Sequence, residues 1–194
     1  MANNEDTSQQ GPVFDPVKLE KVQVSTDYPM EKDEYEKLFN HNCYCEMAHV
    51  SKNGYPIVTP MFYMVLDGLI HMSSIQKYRR KAHDLEVNPK MSLCIHNDGA
   101  NAWRQKAILI IGRAEVSYDE ELRKKIHWLM IDKYWWELKE EKIRQEAFTA
   151  LDTPNRVIIK VHPEKIMSWD FGKMLNYYEK GVWFDETYKM VKDL

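Results

Sequence analysis

Residues 49–95 read HVSKNGYPIVTPMFYMVLDGLIHMSSIQKYRRKAHDLEVNPKMSLCI, and the fold turns on this stretch. Asn53-Gly54 and Asp67-Gly68 are tight-turn signals, because both residue types in each pair accept positive φ. Around them lie three apolar runs: Cys43 to Ser51, Tyr55 to Leu66 and Leu69 to Ser73. Apolar runs joined by tight turns predict an antiparallel meander. Lys77 to Val87 then has helical composition and stops at Asn88-Pro89, since a residue before proline disfavours helix. Met91 to His96 returns as a fourth strand.

Downstream, Ala107 to Val116 reads as a fifth strand. Ser117 and Glu120 have the spacing of a capping box and open a long helix. In it Leu122, Ile126, Met130, Tyr134 and Leu138 recur every four positions, the period of one helix face. A second helical piece spans Glu141 to Leu151, Thr153-Pro154-Asn155 breaks it, and Arg156 to Trp169 is a sixth strand interrupted at His162-Pro163. Upstream, Met30 to Asn40 suits a short amphipathic helix, whereas Met1 to Pro12 is too polar to offset the cost of ordering. The expectation is a mostly β domain, a six-stranded antiparallel barrel with flanking helices. Its divisions are an arm over 1–29, the barrel over 30–175 with a helical insertion at 118–151, and an aromatic tail over 176–194.

Composition narrows the classes. With 194 residues and 44% apolar content, the chain builds one compact domain. A formal net charge of -3 gives no general attraction to nucleic acid or to anionic membrane. Three cysteines without paired spacing predict a reducing compartment. No basic stretch followed by an apolar run opens the sequence, and no apolar run is long enough to span a bilayer. The expectation is a soluble cytoplasmic protein without nucleic-acid or membrane partners.

Chemistry concentrates at Ser73 to Lys81. Two hydroxyls, with Lys77, Arg79, Arg80 and Lys81 at the start of a helix, suit a phosphate; the plainer alternative is a solvated basic face. Cys43 and Cys45 share one strand face near His41 and His49, but not with zinc-knuckle spacing, so small buried hydrophobes are expected rather than a metal site. His49, His71 and His96 fit core or interface positions better than ligand positions. Trp128, Trp135 and Trp136 span more than one helix face, which suits core or dimer packing.

The order of these pieces resembles the pyridoxamine-phosphate-oxidase-like, FMN-binding split-barrel family. Residues 49–95 carry a strand, a Gly turn, a Pro-x-x-Thr-Pro strand (Pro56 to Pro60), a hairpin, then Ser and Arg-Lys before a helix ending at Asn88-Pro89. IIGRAEVSYDEE (110–121) and VHPEKIMSWDFGK (161–173) resemble the family's glycine-bearing strand and closing strand. The resemblance implies a homodimer with FMN at the subunit interface and a small-molecule substrate. By position, Arg80 and Lys81 match the phosphate-binding pair, and Ser73 and Ser74 its hydroxyl neighbours. Val58, Thr59, Pro60 and Met61 match the strand lining the flavin, and Trp169 falls where the last strand approaches it. Gln105 corresponds to a cofactor-contacting glutamine, at a spacing from Gly112 longer than the family's. The Arg-x-His signature of the vitamin-converting enzymes is missing from the tail NYYEKGVWFDETYKMVKDL (176–194), which disfavours a vitamin oxidase. The expected activity is an FMN-dependent oxidoreductase. The alternatives are a deazaflavin reductase using Lys77, Arg79 and Arg80, and a non-catalytic flavin or haem module.

Overall fold

A computed structural model describes residues 23–24, 30–41, 44–75, 80–97 and 105–173. The elements in chain order are β1 (Gln23–Val24), α1 (Lys32–His41), β2 (Tyr44–Val50), β3 (Pro56–Phe62), β4 (Met64–Leu66), β5 (Leu69–Ile75), α2 (Lys81–Val87), β6 (Lys90–His96), β7 (Lys106–Ser117), α3 (Glu120–Tyr134), α4 (Glu141–Leu151) and β8 (Arg156–Asp170). The strands form one curled antiparallel sheet, a half-barrel, in the order β3-β2-β6-β7-β8-β5-β4, with β1 added in parallel to β8. No helix among the described residues is long and apolar enough to cross a membrane.

The sheet has eight strands rather than six. Gln23–Val24, in the segment read as an arm, pairs with Lys165 and Ile166. The run Tyr55 to Leu66 also divides at Tyr63, for a reason supplied from far along the chain. Tyr63 N–H donates to the Tyr134 hydroxyl at 3.1 Å, and that hydroxyl donates back to the Tyr63 carbonyl. A side chain thus satisfies both backbone groups that would otherwise demand a ladder partner.

The turns differ from each other. Asp67 and Gly68 both have positive φ (53° and 77°) and close a two-residue hairpin between Leu66 and Leu69. At Asn53-Gly54 only Gly54 is left-handed, with φ 83°. Gly54 N–H reaches Ser51 O at 2.8 Å and Ser51 N–H reaches Tyr55 O at 2.8 Å, a wider loop between Val50 and Pro56. A bulge on β8 skips Glu164, where the register passes from Ile111↔Lys165 to Gly112↔Pro163. A Cβ on Gly112 would lie 2.3 Å from the His162 carbonyl oxygen, so the bend requires glycine there.

Two hydrophobic cores share the sheet. Inside the curl, Met47, Leu93, Ile110 and Ile159 pack with Phe39 and Leu85 from the helices. Behind it, Met64 and Ile158 pack against Ile126 and Met130 of α3. Strands covered on both sides lose alternation, and Val157, Ile158 and Ile159 are consecutively buried. Helix α3 starts two residues later than its capping-box reading. Its cap is Asp119, whose Oδ1 accepts from Glu121 N–H (2.9 Å) and Leu122 N–H (3.2 Å), while Ser117 stays in β7. The helix ends at Tyr134, so Leu138 falls outside the repeat.

Candidate functional site

The Pro-rich strand β3 is a sheet edge that pairs only with β2 among the described residues. Its residues alternate. Thr59 and Met61 point toward the inner side, and Val58, Pro60 and Phe62 lie exposed on the other. Helix α2 begins beside this edge. Lys81 Nζ donates to Thr59 Oγ1 at 3.4 Å and approaches Met61 Sδ at 2.9 Å. Arg80 is exposed, and its guanidinium has no carboxylate partner among the described residues. The two cations sit at a cleft of about 390 Å³ lined also by His49, Lys52, Tyr55, Thr59 and Asp84.

A buried acid–base pair lies in the same cleft. His49 Nε2 is 3.4 Å from Asp84 Oδ2, with both side chains almost fully enclosed. Asp84 Oδ1 accepts from Lys52 N–H at 2.9 Å, so the carboxylate is held from two sides. His49 Nδ1 is buried without a partner, and so is Ser74 Oγ on β5. Burial of unsatisfied polar atoms is costly; both would gain from an added ligand.

Ser73, one residue from Ser74, faces away into a separate network behind the sheet. A carboxylate only accepts, so His127 Nδ1–H donates to Asp152 Oδ1 at 2.7 Å. That leaves His127 Nε2 as acceptor for the Ser73 hydroxyl at 2.8 Å, and Ser73 Oγ in turn accepts from Arg156 NH1 at 3.4 Å. Burial lowers the His127 pKa, in keeping with a neutral ring. Burial raises the Asp152 carboxyl, but hydrogen bonds from Arg123 and His127 outweigh it and leave its pKa below the usual carboxylate range.

One subunit therefore brings Thr59, Arg80 and Lys81 to a single cleft, with Met61 against Lys81 and with Val58 and Pro60 on the back of the same strand. Ser74 is enclosed and unpaired. Gln105 and Trp169 do not line the cleft. They sit at the far end of the β7–β8 ladder, where Gln105 O accepts from Phe171 N–H at 3.0 Å and half-buried Trp169 lies opposite Ala107. Four strand steps separate β8 from β3. The Cys45 thiol is pushed up to about 12, chiefly by burial, and rests 3.6 Å from the Met61 carbonyl. No group of three or more His, Cys, Asp or Glu among the described residues could hold a metal ion; Cys43, Gln76 to Arg79 and the tail over 176–194 lie outside those residues.

The sequence reading missed Asp84 as His49's partner and missed the pair His127 and Asp152. The one available signal was an acid beside the apolar Ala82 and Leu85 in a short helix.

Comparison with known proteins gives the following. The family described as pyridoxamine 5'-phosphate oxidase matches residues 31–170. General stress protein 26 of Bacillus subtilis is 27% identical over 107 residues, spanning 55% of this chain and 66% of that protein. Among solved structures, a conserved hypothetical protein of Mycobacterium tuberculosis is similar with TM-score 0.66 and 21% identity, covering 79% of this chain and 92% of that one. The heme storage protein HutZ of Vibrio cholerae is similar with TM-score 0.55 and 17% identity, covering 70% and 92%. A FAD-binding protein of Mesorhizobium loti gives TM-score 0.51 and 21% identity, covering 72% and 94%. At these identities the structures share the fold alone.

Proposed function

The chain belongs to the pyridoxamine 5'-phosphate oxidase family, and from that premise we propose that it is an FMN-dependent oxidoreductase acting on a small substrate as a homodimer. The observation that carries this reading is the pairing of Arg80 and Lys81 with Thr59 at one cleft, next to a strand that presents apolar Val58 and Pro60. The residues fit a phosphorylated flavin. Two cations and a hydroxyl suit a phosphate dianion; the Ser74 hydroxyl, buried on β5 outside the cleft lining, is left without a partner among the described residues. When bound, the flavin supplies the hydride chemistry. The chain's part is to bind and orient. Thr59 and Met61 hold the Lys81 ammonium in place, Arg80 offers a guanidinium with no carboxylate partner among the described residues, and His49 lies against Asp84 within the cleft.

The dimer reading rests on the outer face of the sheet. A row running across the sheet through Val58, Ala48, Ser92 and Ile111 is uncharged, and Val58 and Ile111 are exposed in the single chain. Joining two such faces would cover this patch, and would let Gln105 and Trp169 of one subunit serve the cleft of the other. A reducing, cytoplasmic setting agrees with the free thiols of Cys45 and Cys94.

The test is the visible spectrum of freshly purified protein and the identity of what heat releases. A two-band flavin spectrum with stoichiometric FMN is expected, and R80A/K81A together should strip it while the fold persists. A Soret band, or full FMN retention by that variant, would overturn the assignment.

A further inference from the structure

A second pocket lies behind the sheet, remote in chemistry from the cleft. It has a volume of about 320 Å³, and Trp135, Leu138, Ala147, Ala150 and Leu151 form its walls. Its one charged lining group is Arg156, at the start of β8. A guanidinium taken from water needs a compensating anion or full hydrogen bonding. Arg156 has neither. Its Nε is buried without a partner among the described residues, its NH1 makes one 3.4 Å contact to Ser73 Oγ, and no carboxylate among the described residues forms an ion pair with it. The acid whose field reaches it, Asp152, is committed elsewhere: Arg123 Nε donates to Oδ1 at 2.8 Å, Arg123 NH2 to Oδ2 at 3.4 Å, and His127 also to Oδ1. Ser73 is likewise committed to His127. A cation with no carboxylate partner among the described residues therefore stands at the side of an apolar pocket.

We propose that this pocket binds a small organic monocarboxylate, with the carboxylate on Arg156 and an aliphatic or aromatic body against Trp135, Leu138 and Leu151. The volume is at the small end of the ordinary ligand range, which excludes a nucleotide-sized guest. One arginine amid apolar walls favours a monoanion over a phosphate dianion, which recruits several cations. Burial pulls the Arg156 pKa down, with Asp152 offsetting it only in part; a bound carboxylate removes that penalty.

The experiment is calorimetric titration of the full chain, as purified, with hexanoate and benzoate, each against its uncharged amide. The carboxylates should bind saturably and about tenfold or more tightly than hexanamide and benzamide, the worth of a charged hydrogen-bonded contact. Arg156→Met should abolish the difference. Because that change also removes a contact to Ser73, a second variant is needed. Ala150→Trp, at an exposed position of α4 on the pocket wall, fills the chamber without removing a core side chain, and should abolish binding with an unchanged circular dichroism spectrum. Equal affinity for acid and amide, or unchanged binding in Ala150→Trp, overturns the proposal. R80A/K81A should retain the carboxylate titration whatever becomes of the flavin; loss of binding in that variant would put the carboxylate in the cleft and overturn the site at Arg156.

Discussion

Two buried histidine–aspartate pairs stand on opposite sides of the sheet, and they are built to different standards. His127 has both ring nitrogens occupied, by Asp152 at 2.7 Å and Ser73 at 2.8 Å. His49 has only Asp84, at 3.4 Å, and its Nδ1 has no partner. The neighbouring serines repeat the contrast, with Ser73 bonded and Ser74 orphaned. A closed network rigidifies what it joins, and the one around His127 fastens the α3–α4 pair to the barrel. An open one keeps capacity for something that binds. The comparison teaches that burial alone does not describe a histidine; the count of unmet partners separates His127 from His49.

The largest expected effect is His127→Ala, which removes a fully enclosed ring, leaves the Ser73 hydroxyl without its acceptor and takes one donor from Asp152. It should cost about 3 kcal/mol of folding stability, read by chemical denaturation. A loss below about 1 kcal/mol would show that the network contributes little. Ser73→Ala should cost about 1–2 kcal/mol, because His127 and Arg156 each lose a partner. Stability should also fall as pH drops from about 7.5 to about 5.5. Burial holds the folded-state pKa of His127, and likewise that of His71, below the ordinary histidine value. At the higher pH neither state carries the proton; at the lower pH the unfolded chain takes up protons that the folded chain refuses, so folding weakens. In His127→Asn the slope should shrink to the part due to His71, and an unchanged slope would remove His127 from the account. The smallest effect belongs to Ser74→Ala, expected to shift stability by less than about 0.5 kcal/mol because no hydrogen bond is lost. The same change should weaken FMN retention, measured by dialysis; undiminished retention would separate Ser74 from the phosphate.

The sequence made some of this legible and not the rest, for physical reasons. Strands and turns were readable where information is local: Asp67-Gly68 demands positive φ, and Pro89 ends α2. Motif order was enough to bring Arg80, Lys81 and Thr59 to one place. The break at Tyr63 was not readable, since Tyr134 makes it from a distant helix. Nor was the orientation of Ser73, because Ile70, His71 and Met72 are all buried and a strand covered on both faces carries no period to say which way a residue points. The His–Asp pairs were invisible for a related reason. Each joins residues of different elements, and no spacing rule links β2 to α2.

Strand β8 pairs with β7, β5 and β1, yet it follows all of them in the chain. During synthesis on the ribosome, the inner edges of β5 and β7 must wait until residues near 170 have emerged. Until then the nascent chain exposes unpaired strand edges and the Ile-rich faces that β8 will cover. This interval is when a chaperone, or a second nascent copy, competes for the same hydrogen bonds. A pause within α3 or α4 would prolong the hazard, because β8 (Arg156–Asp170) has yet to be made.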